Sequence, residues 1–322
     1  MVYDNMNEKP NDQLISAYIQ ENVREIKRIS TGHINQSFFI KGDNTYIIQA
    51  LNKKLFLEHQ DSLISNYLCY RSACEKYNTD NSDDYEFPVW LKDNEDRYFH
   101  CDINGNIWRM YRYIPSDDAE YKNVDIYEIG RGLWKLHFIL KSCAGIKSIR
   151  TVSHLHDLSY YYKEYLYQNE KTVKRISDID KVIKNNIDKY IKIKVPDGSI
   201  IHGDAKMSNM IIREGRVAGF IDLDTIMAGS LYDDIADCVR SCCMDNEGNM
   251  INHSFDSFIK GYEDASGSGF TQDSMNLIIN NIEKNRFMLG LRYYIDYLSG
   301  RDYFSEEYPG QTLNKATKLL LS

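Results

Sequence analysis

At 322 residues the chain is long enough to bury a sizeable core, as one large domain or two tightly joined lobes. Its net charge of −8, with positive charge only in short runs such as Lys53-Lys54, argues against a nucleic-acid backbone as partner. The polar start MVYDNMNEKPNDQ has no apolar signal region, no stretch nears the ~20 apolar residues of a membrane span, and seven cysteines without a C-x-x-C pair read as reduced thiols, so a cytoplasmic protein without a membrane partner is expected.

Residues 1–21 read as an N-terminal extension. Strands are expected over about 22–50: Val23 to Ile26 leads in, Ser30-Thr31-Gly32-His33 punctuates the first turn, Lys41-Gly42-Asp43-Asn44 signals a hairpin, and Tyr46-Ile47-Ile48 forms a core-facing third strand. A helix over roughly 57–77 carries Leu63, Tyr67, Cys74 and Tyr77 on one stripe. After a polar break at Asp80 to Asp84, Phe87 to Trp90 is extended, Asn104-Gly105-Asn106 turns a hairpin, and Trp108 to Ile114 forms a strand ending at Pro115. Then the texture changes. Ile126, Ile129, Leu133, Leu136 and Leu140 recur at helical intervals, 157–190 reads as tyrosine-faced helices, and 273–299 as one long helical region. The pattern predicts an α+β protein with a boundary near residue 115, separating a strand-rich unit, 22–114, from a mainly helical one, 115–322.

The exception within the helical part is IHGDAKMSNMIIREGRVAGFIDLDT, residues 201–225. Met210 to Ile212 and Val217 to Asp222 form two strands around the turn Arg213 to Arg216. Such a hairpin returns Asp222 to the neighbourhood of Asn209, with Asp204 on the loop just ahead; Asp222 and Asp224 share a face if the strand continues that far. Clustered carboxylates are costly to bury, and a hard cation removes that cost. Mg²⁺ takes oxygen ligands, often one or two protein carboxylates completed by phosphate and water. The set suits phosphoryl transfer, where metal and cations balance charge on the moving group. Neither G-x-x-x-x-G-K-[ST] nor G-x-G-x-x-G occurs, which disfavours a P-loop enzyme.

The order His202-Gly203-Asp204, Lys206, Asn209, Ile221-Asp222 resembles the catalytic centre of kinase-like small-molecule phosphotransferases, the aminoglycoside/choline kinase superfamily. Asp204 and Asn209 keep the five-residue spacing of kinase catalytic loops, while Ile221-Asp222-Leu223-Asp224 stands in place of D-F-G. GHINQSFFI (32–40), WRMYRYI (108–114), FIDLDTIMAGSLYDDIADCVRS (220–241) and LGLRYYIDYLSGRDYF (289–304) are similar to the bacterial N-acetylhexosamine 1-kinase group. The resemblance spans about residues 22–320. It implies a two-lobed protein-kinase-like fold, with a small antiparallel-sheet N-lobe and a larger, mainly helical C-lobe. It also implies ATP and Mg²⁺ as cofactors.

In that frame Asp204 accepts the proton of the attacking hydroxyl and Lys206 faces the γ-phosphoryl oxygens. Asn209 and Asp222 hold Mg²⁺, and Asp224 is either a second ligand or a holder of the substrate loop. His202 fixes the loop backbone, and Gly203 permits a special backbone angle or a close approach. Thr31, Gly32 and His33 cover the triphosphate, and the segment with Tyr111 and Tyr113 links the lobes and meets the adenine edge through backbone groups. One departure stands out: kinase-like folds carry a Lys or Arg on the third strand, and here Gln49 occupies that point, with Lys53, Lys54 or Lys206 as replacements and Glu58 as a candidate acidic partner.

For the acceptor, the resemblance implies the anomeric hydroxyl of GlcNAc or GalNAc, with Arg292, Tyr293 and Asp296 reaching the sugar; an Arg292–Asp296 helix ion pair is the competing reading. Asp233 and Asp237 are candidates to stabilise the loop, Asp237 through Arg240. SHLHDLS, with His154 and His156, reads as a turn and helix start with Asp157 near the cap. Three functions stay open: a sugar 1-kinase, a kinase of another alcohol such as an aminoglycoside or choline-like amine, and a silent nucleotide-binding scaffold. A monomer or a homodimer fits each.

Overall fold

The computed structural model describes residues 9–29, 35–52, 58–117, 124–143, 145–146, 154–245, 247–300, 304, 306 and 308–321. It shows a kinase-like fold with a five-stranded antiparallel sheet in its N-terminal part and a helical C-terminal part, as the sequence predicts.

The chain enters through α1 (Asp12–Ser16), whose first turn is capped by the Asn11 side chain accepting from Leu14 N at 2.8 Å. Strands β1 (Glu25–Ile29), β2 (Gln36–Lys41), β3 (Thr45–Leu51), β4 (His100–Cys101) and β5 (Ile107–Arg112) order as β1-β2-β3-β5-β4. Period-two alternation gives the sheet two different faces. Phe38, Ile40, Tyr46, Ile48, Ala50, Trp108 and Met110 pack on one of them against Leu14, Ile15 and Ile19. The segment read as an N-terminal extension therefore seals the N-lobe core, and Tyr18 Oη pins it by donating to Trp108 O at 2.7 Å. The intervening positions, Ser37, Gln49 and Arg109, face one another across β2, β3 and β5.

Helix α2 (Gln60–Asp80) buries Leu63, Tyr67, Tyr70 and Cys74, and Tyr67 stacks on Trp90 with ring centroids 4.0 Å apart. This face joins the main core, which continues into α3 (Ile126–Lys141). There follow α4 (Leu158–Lys171), capped by Asp157, and α5 (Ser177–Ile191). The short strands β6 (Ser199–Ile201), β7 (Met210–Arg213), β8 (Arg216–Phe220) and β9 (Met227–Gly229) pair as β6–β9 and β7–β8. Helices α6 (Leu231–Cys242), α7 (Asn252–Ser266), α8 (Gln272–Ser299) and α9 (Gln311–Leu321) complete the C-lobe. Helices α4, α5, α8 and α9 share a second core of Tyr165, Ile183, Leu291, Tyr294 and Leu320.

Two details depart from the sequence reading. The strand expected over Trp108 to Ile114 is Ile107–Arg112. The strand ahead of Asp222 stops at Phe220, because Asp222 adopts the left-handed region (φ 63°, ψ 60°) and a 3₁₀ turn, Leu223–Thr225, follows. The alternation that would put Asp222 and Asp224 on one face is broken there. All seven cysteines are free thiols, and no helix among the described residues is long and apolar enough to cross a membrane.

Candidate active site

The β7–β8 hairpin turns at Glu214 (φ 50°) and Gly215 (φ 74°), two consecutive left-handed residues of the kind a tight two-residue hairpin requires. Met210 pairs with Phe220, and Ile221 N donates to Asn209 O at 2.8 Å. The hairpin thus brings Asn209 and the Ile221–Asp222 pair to one end. Asn209 Nδ2 donates to Asp204 O (2.8 Å) and Oδ2 (3.1 Å), and Lys206 Nζ lies 2.6 Å from the same Oδ2. Burial lowers the Lys206 pKa, but the Asp204 carboxylate outweighs it, so the net shift is upward and the ammonium stays charged.

The loop carrying Asp204 is held from below by Asp234 of α6, a residue the sequence does not set apart from its neighbour Asp233. Fully buried Asp234 accepts from His202 N (2.7 Å) and Gly203 N (2.8 Å) and meets His137 Nε2 at 3.2 Å. Burial pushes its carboxyl up, yet His137 and the loop amides win and hold it below the usual range. His137 Nδ1 in turn meets Tyr262 Oη at 2.8 Å, so the network runs from α7 through α3 and α6 to the loop. Asp233 instead accepts from Asn281 Nδ2 at 3.0 Å. His202 is buried with Nε2 3.0 Å from Ile221 O, which makes that nitrogen the N–H donor. Gly203 has φ +80°, and a Cβ there would lie 2.6 Å from Thr225 O, so both the backbone angle and the space demand glycine.

Asp222 is exposed to solvent on one side while protein surrounds its other sides. Desolvation by that surrounding mass, then the Asp224 and Asp204 carboxylates, raise its carboxyl to about 6 against the pull of Lys206 and Arg109. A carboxylate so loaded is a ready ligand for a divalent cation. Asn209 offers a second oxygen, since its amide nitrogen is turned to Asp204. Among the described residues no group of three or more His, Cys, Asp or Glu side chains forms a metal cage. The donor set fits Mg²⁺, which keeps water and phosphate oxygens in its shell.

Asp224 is directed elsewhere. It is buried against Arg109 of β5, with Nη1 on Oδ1 and Nη2 on Oδ2 (2.9 Å), and accepts from Asn35 Nδ2 at 2.9 Å. Arg109 Nε donates to Gln49 Oε1 at 2.8 Å, and its guanidinium lies 4.7 Å from the Trp90 ring centre. Sequence reasoning missed Arg109; the only available signal was its place opposite Gln49 once the strands are paired.

On the nucleotide side, Thr31, Gly32 and His33, with Lys53 and Lys54, lie outside the described residues. Glu58 is exposed in a turn ahead of α2. Tyr111 bridges to Trp90, and Tyr113 N already donates to Thr45 O at 2.9 Å. The lobes are joined below this point by Arg213, whose Nε and Nη2 reach the two Glu86 oxygens at 2.6 and 2.9 Å.

Beyond Asp204 lies a second polar group. His156 Nε2 meets Gly203 O at 3.1 Å and stands 3.9 Å from Asp237 Oδ2, while Arg240 Nη2 is 3.3 Å from Asp237 Oδ1. His156 Nδ1 and Arg240 Nε are buried and have no hydrogen-bond partner among the described residues. Of the acceptor candidates, Tyr293 lies within the field of Arg240 and Lys206, although burial dominates and raises its phenol. Asp296 Oδ2 accepts from Phe304 N at 3.1 Å, and the Arg292 guanidinium lies 5.2 Å from the Tyr161 ring centre and 5.6 Å from that of Phe304.

A small two-lobed fold with an Asp–Lys–Asn loop facing a carboxylate at a strand end defines the kinase-like phosphotransferases. The sequence profile of the APH phosphotransferase enzyme family matches residues 86–277, more than half of the chain, and the chain belongs to that family. Solved structures share the fold at low identity. They include a microcompartment-associated aminopropanol kinase (14% identical, 95% of this chain and 92% of that one covered, TM-score 0.71). An amicoumacin kinase in complex with AMP-PNP, Ca²⁺ and its ligand is 13% identical over 96% and 93% of the two chains (TM-score 0.63). A spectinomycin phosphotransferase in complex with ADP and spectinomycin is 14% identical over 96% and 92% (TM-score 0.60).

Proposed function

We propose that this phosphotransferase moves the γ-phosphoryl group of ATP to the anomeric hydroxyl of an N-acetylhexosamine, giving the sugar 1-phosphate. Asp204 receives the hydroxyl proton as the oxygen attacks; its carboxylate is held in place by Lys206 at 2.6 Å and by Asn209 at 3.1 Å. Lys206 then shifts its charge toward the phosphoryl oxygens, where negative charge must be balanced. Asn209 and Asp222 are the residues to hold Mg²⁺, which when bound neutralises the nucleotide phosphates.

The observation that carries the acceptor class is the mixed group beyond Asp204. Arg240 and Lys206 are each paired with a carboxylate, Asp237 and Asp204, so the group is close to neutral overall and suits a neutral polar acceptor better than a polycationic aminoglycoside. A neutral sugar with an acetamido group offers acceptors and donors to Arg240 Nε and His156 Nδ1, which have no partner among the described residues. The competing reading, a small amino-alcohol, rests on the Asp204 and Asp237 carboxylates, which suit an ammonium, and on the shared fold with the aminopropanol kinase.

The test is turnover with Mg-ATP on a panel of GlcNAc, GalNAc, aminoglycosides, choline and aminopropanol, with products identified by phosphorus NMR. A C1-phosphorylated hexosamine is the expected product. Phosphorylation of amines alone overturns the sugar reading, and ATP binding without turnover on any acceptor favours a silent scaffold. Asp204→Asn should keep nucleotide binding and lose about 10²- to 10⁴-fold in kcat; an unchanged kcat removes Asp204 as the base.

A further inference from the structure

The phosphate-side cation expected on β3 is absent, because Gln49 stands there, and the buried face of α2 (Ser62, Leu63, Asn66, Tyr67, Tyr70, Cys74) offers no acid to pair with one. Both halves of the usual Lys–Glu pair are missing from their elements. A complete pair exists one strand away. Arg109 is the register partner of Gln49 on β5, so the two side chains emerge on the same face. Arg109 Nε reaches Gln49 Oε1 at 2.8 Å, which puts the guanidinium within one hydrogen bond of the end of the side chain that replaces the lysine. Its counter-ion, Asp224, lies two residues past Asp222, and Arg109 is among the charges felt by Asp222 itself.

We propose that Arg109 is the transposed phosphate-side cation of this enzyme, a positioning residue that orders the nucleotide's phosphate end from β5 in place of a lysine on β3. Gln49 is its orienting partner, fixed on the other side by Nε2 donating to Ser37 Oγ at 2.9 Å. Asp224 fixes the guanidinium through both oxygens, which fits the planar fork of arginine and would not hold a lysine in the same way. With only 3% of its side chain exposed, Arg109 acts through a field that water screens little.

The inference rests on the nucleotide cleft of the proposed function but not on the acceptor. The experiment therefore measures binding of ATP and of adenosine by calorimetry without acceptor, at one saturating Mg²⁺ concentration for parent and variants, so that the metal's contribution is common to all and no acceptor turnover is needed. Arg109→Gln should lower the ATP-over-adenosine preference at least tenfold, with adenosine affinity within about threefold of the parent. Arg109→Lys, which keeps the charge and loses the fork, should retain most of the preference. The double variant Gln49→Lys/Arg109→Gln, which returns the cation to β3, should restore it. Equal losses in the Arg109→Lys and Arg109→Gln variants, or no restoration in the double variant, overturn the proposal and leave Arg109 as a packing residue. Should Arg109→Gln fail to fold, Arg109→Lys and the double variant carry the test, and loss of the preference in either overturns it. A parent that binds adenosine as tightly as ATP overturns it directly, and one that binds neither refutes the nucleotide cleft itself.

Discussion

At the level of single residues, the site is a set of carboxylates sorted by their partners. Asp234 is saturated by donors and held low, Asp224 is matched by a guanidinium, and Asp222 is left facing other carboxylates. Asp222 is therefore the one that works against the fold, a cost that a bound cation would remove. Its folded-state pKa, about 6, lies above the ordinary carboxylate value of 3.8, so the folded form binds the proton more tightly than the unfolded chain. The sign follows: the ionised carboxylate costs stability that is absent below about pH 4 and grows as pH rises towards 6. Because the residue is exposed, water screens part of the effect, and about 1 kcal/mol or less is the scale. Metal-free Asp222→Asn should melt at a higher temperature than the parent at pH 7.5, with the gap closing near pH 4, while losing Mg²⁺-dependent ATP affinity. Calorimetry in EDTA checks the first part and titration with Mg-ATP the second. A variant less stable than the parent at pH 7.5 would show that Asp222 is a structural carboxylate.

At the level of elements, the site depends on how closely α3 and α7 approach. His137 of α3 and Tyr262 of α7 begin the chain of hydrogen bonds that ends at the Asp204 loop, so the helix pair sets the loop's floor. Glycines make that approach: a Cβ on Gly130 would sit 2.0 Å from Phe258 O, and one on Gly261 2.0 Å from Tyr127 O. Backbone cannot swing aside as a side chain can. Alanine gains about 1 kcal/mol of helix propensity over glycine, but overpacking against backbone costs about 3 kcal/mol, the upper end of the usual range for so short a contact, so the clash wins. Gly130→Ala should destabilise the protein by about 2 kcal/mol in urea denaturation and lower kcat, since His137 is drawn away from Asp234. A stability equal to the parent would mean that α3 can shift without cost. The contact was not legible in the sequence, because the atoms that Gly130 makes room for belong to Phe258, 128 positions away.

For the whole molecule, what could be read from the chain was local in origin. Glu214-Gly215 announces its hairpin, the five-residue gap from Asp204 to Asn209 marks the loop that the hairpin's open end meets, and the change from strand to helix texture matches a sheet in the N-terminal part and helices in the C-terminal part. What escaped was set by distant partners. Arg109 and Asp224 are 115 positions apart, Asp234 acts on a loop 31 positions earlier, and α1 is too short to show a period until a sheet face covers it. The same long-range contacts bear on cooperativity. The main core holds Leu51, Trp90 and Ile107 together with Leu133, Phe220 and Ile235, so residues of both lobes lie in one apolar cluster. Two lobes sharing a core should unfold as one unit. A single thermal transition is therefore expected, and Mg-ATP should move all of it. At a hundredfold excess over Kd the linkage is worth about 2.7 kcal/mol, which for a chain of this size raises Tm by roughly 5 °C. Asp222→Asn should lose most of that shift. Differential scanning calorimetry with and without Mg-ATP decides it: two transitions, only one of them moved by nucleotide, would show that the lobes fold independently and that the shared apolar cluster does not couple them.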